Sequence, residues 1–247
     1  SALLGPQAGF LSMVVILAIQ SLFFADGGLL ALGANCWNMA FYGCFVGYYL
    51  LWRPLMRRKA GSRAATRVKI MLASILGCVI TLQLGAFSVV LETSVSGITE
   101  LPFGTFVGIM QPIHLAIGLV EGLITAAVLL FVYEARPELL MDVNTADTKN
   151  RCSLKTTLII LAVVVAVVGG GLSLLASSNP DGLEWSMFGN AEAGYSENMG
   201  LDEESYGAAG TTTSGLVGSA IVAGVAVLIC VAGGFFRRRK TAARAKN

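Results

Sequence analysis

The sequence predicts an all-α, polytopic membrane protein of about six transmembrane segments, with both termini in the cytoplasm. Three observations carry that expectation. Of the 247 residues, 55% are hydrophobic and only 13% are charged, against about 25% charged in soluble domains. Charge is missing from runs of roughly 20 residues, long enough to cross about 30 Å of hydrocarbon at ~1.5 Å per residue. All 17 Lys and Arg fall in three short stretches, 53–69, 136–155 and 237–246, set between apolar runs.

The first segment is expected over residues 9–24, with Ser12, Gln20 and Ser21 as its few polar positions. The second is composite. Residues 25–35, ADGGLLALGAN, are Gly-rich and read as a bent or re-entrant entry, and residues 38–52 complete the span in an interfacial aromatic cluster. The third segment covers residues 70–91. The fourth, residues 103–133, exceeds one simple span, so Pro112 within it is expected to mark a break or kink. Residues 156–176 and 214–236 are the fifth and sixth. The basic stretches follow segments two, four and six, which puts them on one side, and excess Lys and Arg mark that side as cytoplasmic. Residues 93–101 then lie outside, as does the loop 178–213, with seven carboxylates and no base.

Composition changes near residue 140. Residues 1–140 form a membrane core with polar punctuation, and residues 141–247 form an appended hairpin of two plainer helices around loop 178–213. No polar segment is long enough to bury a core of its own. A soluble catalytic domain is excluded, and no enzyme activity is expected. No Walker-type phosphate loop occurs, so any ATP use belongs to another chain. The five cysteines form no CxxC pair and mostly sit in or beside apolar runs, where a thiol packs as a small hydrophobe.

Two constellations could carry chemistry. The single histidine, His114, lies seven residues before Glu121, so both point from one helix face that Gln111, Gly118, Gly122 and Thr125 share. An ionisable residue at membrane depth is costly and rarely faces lipid. This face either lines a substrate cavity or bonds neighbouring helices together. The second set is Asp26, Gly27, Gly28, Asn35, Asn38 and Met39. It suits close backbone approach and ligand contact, or equally a capped helix start. The substrate-path candidates are therefore His114, Glu121, Gln111, Asn35, Asn38 and Asp26. The spacings Gly43/Gly47, Gly104/Gly108 and Gly118/Gly122 read as close helix contacts. Arg57, Arg58 and Lys59 are topology signals first and candidates for docking a cytosolic partner or lipid headgroups second. No nucleic-acid partner is expected.

At this point the residues resemble a known family. FFADGGLLALGANCWNMAFYG (23–43) and IHLAIGLVEGLITA (113–126) resemble signatures of the CbiM/NikM family, the substrate-capture membrane components of energy-coupling-factor (ECF) cobalt and nickel transporters. SSNPDGLEW (177–185) resembles the PDGLE segment of the small CbiN/NikN-like partner, two helices joined by an extracytoplasmic loop. The resemblance implies capture of Co(II) or Ni(II) as transported substrate, with no permanently bound cofactor. It implies a transmembrane coupling component and cytosolic ATPases as partners, in the plasma membrane of a prokaryote. Family members hold the metal through a Met-His amino terminus and further upstream histidine, so the primary ligands are expected upstream of Ser1. The alternatives are an autonomous proton-coupled carrier using His114 and Glu121 as a relay, or a non-transporting membrane scaffold.

Overall fold

The computed structural model describes residues 1–23, 28–58, 62–97, 101–143 and 151–175, and among these the chain is helical, with no strand. The elements in order are α1 (Pro6–Phe23), α2 (Gly28–Asn35), a π-helix (Cys36–Trp52), α3 (Arg53–Arg57), α4 (Arg63–Ser96), α5 (Phe103–Ala135), a 3-10 turn (Pro137–Leu139), α6 (Leu154–Gly170) and a second 3-10 turn (Leu172–Leu175). Three helices are long and apolar enough to cross a membrane: Leu29–Arg57, Arg63–Ser96 and Phe103–Ala135. Pro6–Leu22 and Leu154–Gly170 are shorter apolar helices. The expected sixth segment, 214–236, lies outside the described residues, as do loop 178–213, Asp26 and Lys59.

α4 is the centre of the fold. It packs on the π-helix along one side and on α5 along the other, and α1 covers the π-helix and α2. α4 opens on a serine cap, with the Ser62 hydroxyl accepting from the Ala65 amide at 3.2 Å. That bond satisfies one of the four amides a helix start leaves bare. α6 repeats the device, with Ser153 accepting from the Thr156 amide at 3.1 Å. The π-helix carries buried residues Ala40, Cys44, Tyr48 and Trp52 at intervals of four, a single line of contacts.

Two apolar clusters hold the helices. At the end bearing the basic residues, Tyr48, Trp52 and Met56 meet Ile70 and Ala73 of α4 and Leu129, Val132 and Tyr133 of α5, with Leu140 closing the cluster. At the other end Ala86 and Val90 pack with Leu101, Phe106 and Met110. Between them α4 and α5 approach backbone to backbone. A Cβ on Gly118 would stand 3.0 Å from the Cα of Val79, and one on Gly122 only 2.7 Å from the Cα of Ile75. Of the three small-residue spacings in the sequence, this one works as a helix contact at both positions. At Gly43, Gly104 and Gly108 a Cβ would meet nothing within 4 Å.

Two expectations are corrected. The entry to the second segment is not re-entrant from Gly28 onward. α2, the π-helix and α3 follow without a gap, because residues 28–35 offer mostly Leu and Ala, which favour helix despite the glycines. Of the break or kink expected at Pro112, the break is absent, since α5 runs unbroken through it. A transmembrane helix tolerates proline where neighbours hold the backbone on both sides. Here Met110 is buried before Pro112 and Gly118 is clamped against α4 after it.

Candidate functional site

The polar residues of the helix core fall into two sets, on opposite sides of α4. Toward α5, Gln83 and Gln111 exchange hydrogen bonds. The Gln83 amide donates to the Gln111 carbonyl at 2.9 Å, and the Gln111 amide donates back to the Gln83 carbonyl at 3.3 Å. Below them the Cys78 thiol sits 3.6 Å from the Thr125 hydroxyl. One turn from Gln111, His114 is half-buried, with Nδ1 2.8 Å from the carbonyl of Met110. A carbonyl only accepts, so Nδ1 carries the hydrogen and Nε2 of the neutral ring presents its lone pair. Glu121 lies two turns further on, on the exposed side of α5. Among the described residues no ion pair joins it to His114.

Toward the π-helix, the Asn38 amide donates to a Glu92 carboxylate oxygen at 2.9 Å. Asn38 is 5% exposed, and its Oδ1 is buried without a hydrogen-bond partner. Gly85 makes this possible, because any Cβ there would run into the Asn38 carbonyl. One turn along, Tyr42 and Ser88 share a hydroxyl–hydroxyl bond of 2.9 Å. Asn35 is half-buried at the junction of α2 and the π-helix and makes no capping bond. The structure thus brings Gln111 and His114 together on α5 and sets Asn38 across α4 from them.

Charge concentrates at one rim. Glu134 receives three guanidinium groups: Arg63 at 2.8 Å, Arg67 at 2.7 Å and Arg151 at 3.4 Å. Arg63 also lies over the Tyr133 ring, 5.6 Å from its centroid. Asp142 takes Arg57 at 3.1 Å, Arg53 at 3.9 Å and the Tyr48 hydroxyl at 2.6 Å. It does so with φ of 60°, in the left-handed region that aspartate tolerates better than most residues. Met141 ties the same turn down, accepting from the Trp52 indole at 2.9 Å and donating to the Ala2 carbonyl at 2.8 Å. Burial alone would raise the Asp142 carboxyl. The hydrogen bonds from Tyr48 and Arg57 and the nearby Arg57 and Arg53 charges outweigh it and hold the carboxyl below its usual range. Arg57, expected to be a docking residue, is thus engaged within the fold, whereas Arg58 is exposed and lends its carbonyl to the Lys69 ammonium.

No cluster of three or more His, Cys, Asp or Glu able to hold a metal ion occurs among the described residues. The core offers single contacts: one imidazole nitrogen, one buried amide oxygen, one carboxylate. Sequence reasoning missed Gln83, Glu92 as the partner of Asn38, and the turn residue Asp142. Gln83 had a signal, being the one amide side chain in the apolar run 70–91.

Comparison with known proteins gives the family. The family described as "Cobalt uptake substrate-specific transmembrane region", CbiM, matches residues 1–139, and the PDGLE domain matches residues 155–233. A protein of Archaeoglobus fulgidus named as a fused nickel transport protein, NikMN, is 35% identical over 232 residues, covering 89% of this chain and 70% of the relative. One from Lactiplantibacillus plantarum, named as a fused nickel transport protein LarMN, is 34% identical over 75% of this chain and 55% of its own length. The cobalt transport protein CbiM of Sorangium cellulosum is 36% identical over 57% of this chain and 60% of its own length. No solved structure matches the chain. With the family matching more than half of its residues, and with a helical core built around α4, the chain belongs to the CbiM family of cobalt and nickel transport proteins and carries a PDGLE domain after the CbiM region.

Proposed function

We propose that this chain is the membrane component that captures cobalt or nickel ions for an ATP-driven, ECF-type importer in a prokaryotic plasma membrane. The observation that carries the reading is the order of two matches in one chain, CbiM over 1–139 and PDGLE over 155–233. The relative from Archaeoglobus fulgidus that spans both regions is named for nickel transport. The division into a core, 1–140, and a two-helix hairpin, 141–247, follows the same order. Six spans with both termini cytoplasmic are consistent with the meeting of the first two basic stretches at one rim, where Arg63 and Arg151 share Glu134. That rim faces the cytosolic ATPases and the coupling component that would supply the energy. Gln111 and His114, at the seam of α4 and α5, are the route's candidate positions, with Asn38 on the other side of α4 and Glu121, Asn35 and Asp26 as its further polar positions. Imidazole nitrogen suits nickel and cobalt better than bare carboxylate does.

The second reading is the proton-coupled carrier, in which His114 and Glu121, seven residues apart on one helix, would form the relay. The test is uptake of radiolabelled nickel or cobalt by cells producing the protein with its coupling component and ATPases. Replacing the phosphate-loop lysine of the ATPases should abolish uptake. Uptake that survives this replacement and collapses with an uncoupler would overturn the ECF reading in favour of the carrier.

A further inference from the structure

We propose that the arginine cluster around Glu134 binds the phosphate of an anionic phospholipid, whose acyl chains lie along the apolar face of α4. Among the described residues three guanidinium groups surround one carboxylate, which leaves a surplus of two positive charges in that set within a few ångströms of each other. Like charges held that close repel, and a second anion between them relieves the repulsion. The donors are accessible: the side chains of Arg63, Arg67 and Arg151 are 33%, 49% and 62% exposed. Guanidinium is the side chain best matched to phosphate, through paired N–H donors.

Depth separates a lipid from a free anion. Arg67 sits in the first turns of α4, and Met71 is its i+4 neighbour on the same face. Val68, Met71 and Leu72 are exposed apolar residues directly beneath the cluster. On the other flank Arg151 precedes exposed Leu154 and Leu158 of α6. Charge above and bare hydrocarbon below is the profile of a headgroup with its chains attached. The partly buried Tyr133–Arg63 stack fixes one guanidinium in place, so the site is less free to collapse onto Glu134. The Asp142 cluster carries a smaller surplus of one charge, because there two arginines share one carboxylate.

The experiment is native mass spectrometry of the full chain released from vesicles of phosphatidylglycerol mixed with phosphatidylcholine, with folding checked by thermal unfolding. We expect phosphatidylglycerol to be retained preferentially, and Arg67→Gln with Arg151→Gln to cut that retention about thirtyfold, at roughly 1 kcal/mol per surface cation. Arg53→Gln, which removes a charge from the separate Asp142 cluster, should leave retention unchanged. Should the double variant fail to fold, Arg151→Gln alone leaves the Arg63 and Arg67 pairs intact and should still lower retention several-fold. Equal retention of the two lipids, or retention unaltered in the folded variants, overturns the proposal. Displacement by soluble glycerol phosphate at concentrations comparable to the lipid overturns it in favour of a free-anion site. Loss of ATPase association with lipid retention intact overturns it in favour of protein docking.

Discussion

α5 and α6 are both almost wholly apolar helices, yet among the described residues protein packs along the whole of one and hardly touches the other. α5 buries positions from Phe106 to Ala135, whereas α6 buries Thr157 alone. Leu158, Ile159, Val163, Val164, Val167 and Val168 of α6 all stand exposed. Hydropathy does not distinguish the two, because in lipid an apolar side chain gains little by exchanging a neighbouring acyl chain for a neighbouring helix. What distinguishes them is punctuation. α5 carries Gln111, His114, Gly118, Gly122 and Thr125, and α6 beyond its first turn is an unbroken run of aliphatic residues to its terminal glycines.

The largest expected effect attacks that punctuation directly. In Gly122→Leu the new Cβ would stand 2.7 Å from the Ile75 Cα, a backbone atom that cannot swing away. α5 must lift off α4, and the paired Gln83–Gln111 bonds are strained or lost with it. A destabilisation of about 3 kcal/mol or more is expected, read as a lower unfolding midpoint in detergent. A midpoint within a degree or two of the parent would mean that the seam is not close-packed, and the contrast with α6 would fall.

The next effect concerns the turn that ends the core. Asp142 holds Tyr48, Arg57 and Arg53 from a left-handed backbone position. Its folded carboxyl titrates below the usual value of 3.8, so the unfolded chain takes up this proton first as pH falls. The contribution to stability is fully present above the unfolded value and is lost as pH drops from there through the folded one. Asp142→Asn tolerates the same backbone, removes the charge and replaces one of the two oxygens that accept from Tyr48 and Arg57 with an NH2 donor. It should cost about 1–2 kcal/mol near neutrality and erase this residue's share of the acid-side loss. Unfolding midpoints of both proteins between roughly pH 3 and pH 7 test this, centred on the carboxylate range. Parallel curves would show that the carboxylate does not stabilise the turn.

Much of the helical plan was legible, for physical reasons that also explain the failures. The spans announce themselves because hydrocarbon demands long uncharged runs, and α4 and α5 lie where residues 70–91 and 103–133 predicted, with longer ends. Of the bent or re-entrant entry expected at residues 25–35, the described part, 28–35, is helix, because Leu and Ala let a helix absorb glycines at modest cost. Pro112 was judged alone, and its tolerance depends on what α4 does on either side of it. The candidate site was legible as residue types and not as an arrangement. Gln111 and His114 share a face by periodicity, but nothing in one dimension says that Asn38 meets Glu92, 54 residues away, across α4. Asp142 looked like linker because its role depends on a turn that periodicity does not encode.

The smallest expected effects lie on α6 and decide what its bare face means. Val163→Ala, Val164→Ala and Val167→Ala each remove apolar surface from residues between 48% and 56% exposed. If lipid covers that face, the chains of the solvent simply fill the space, no cavity forms, and each change should cost under about 0.5 kcal/mol. Ile75→Ala on the α4 seam is the control, because a rigid neighbour cannot fill its gap, and there a cost of about 2 kcal/mol or more is expected. A cost above ~1 kcal/mol at only one of the three valines would mean that α6 meets protein along that line. Helical periodicity would then locate the contact: Val163 and Val167 are four apart and share a face, whereas Val164 points about 100° away.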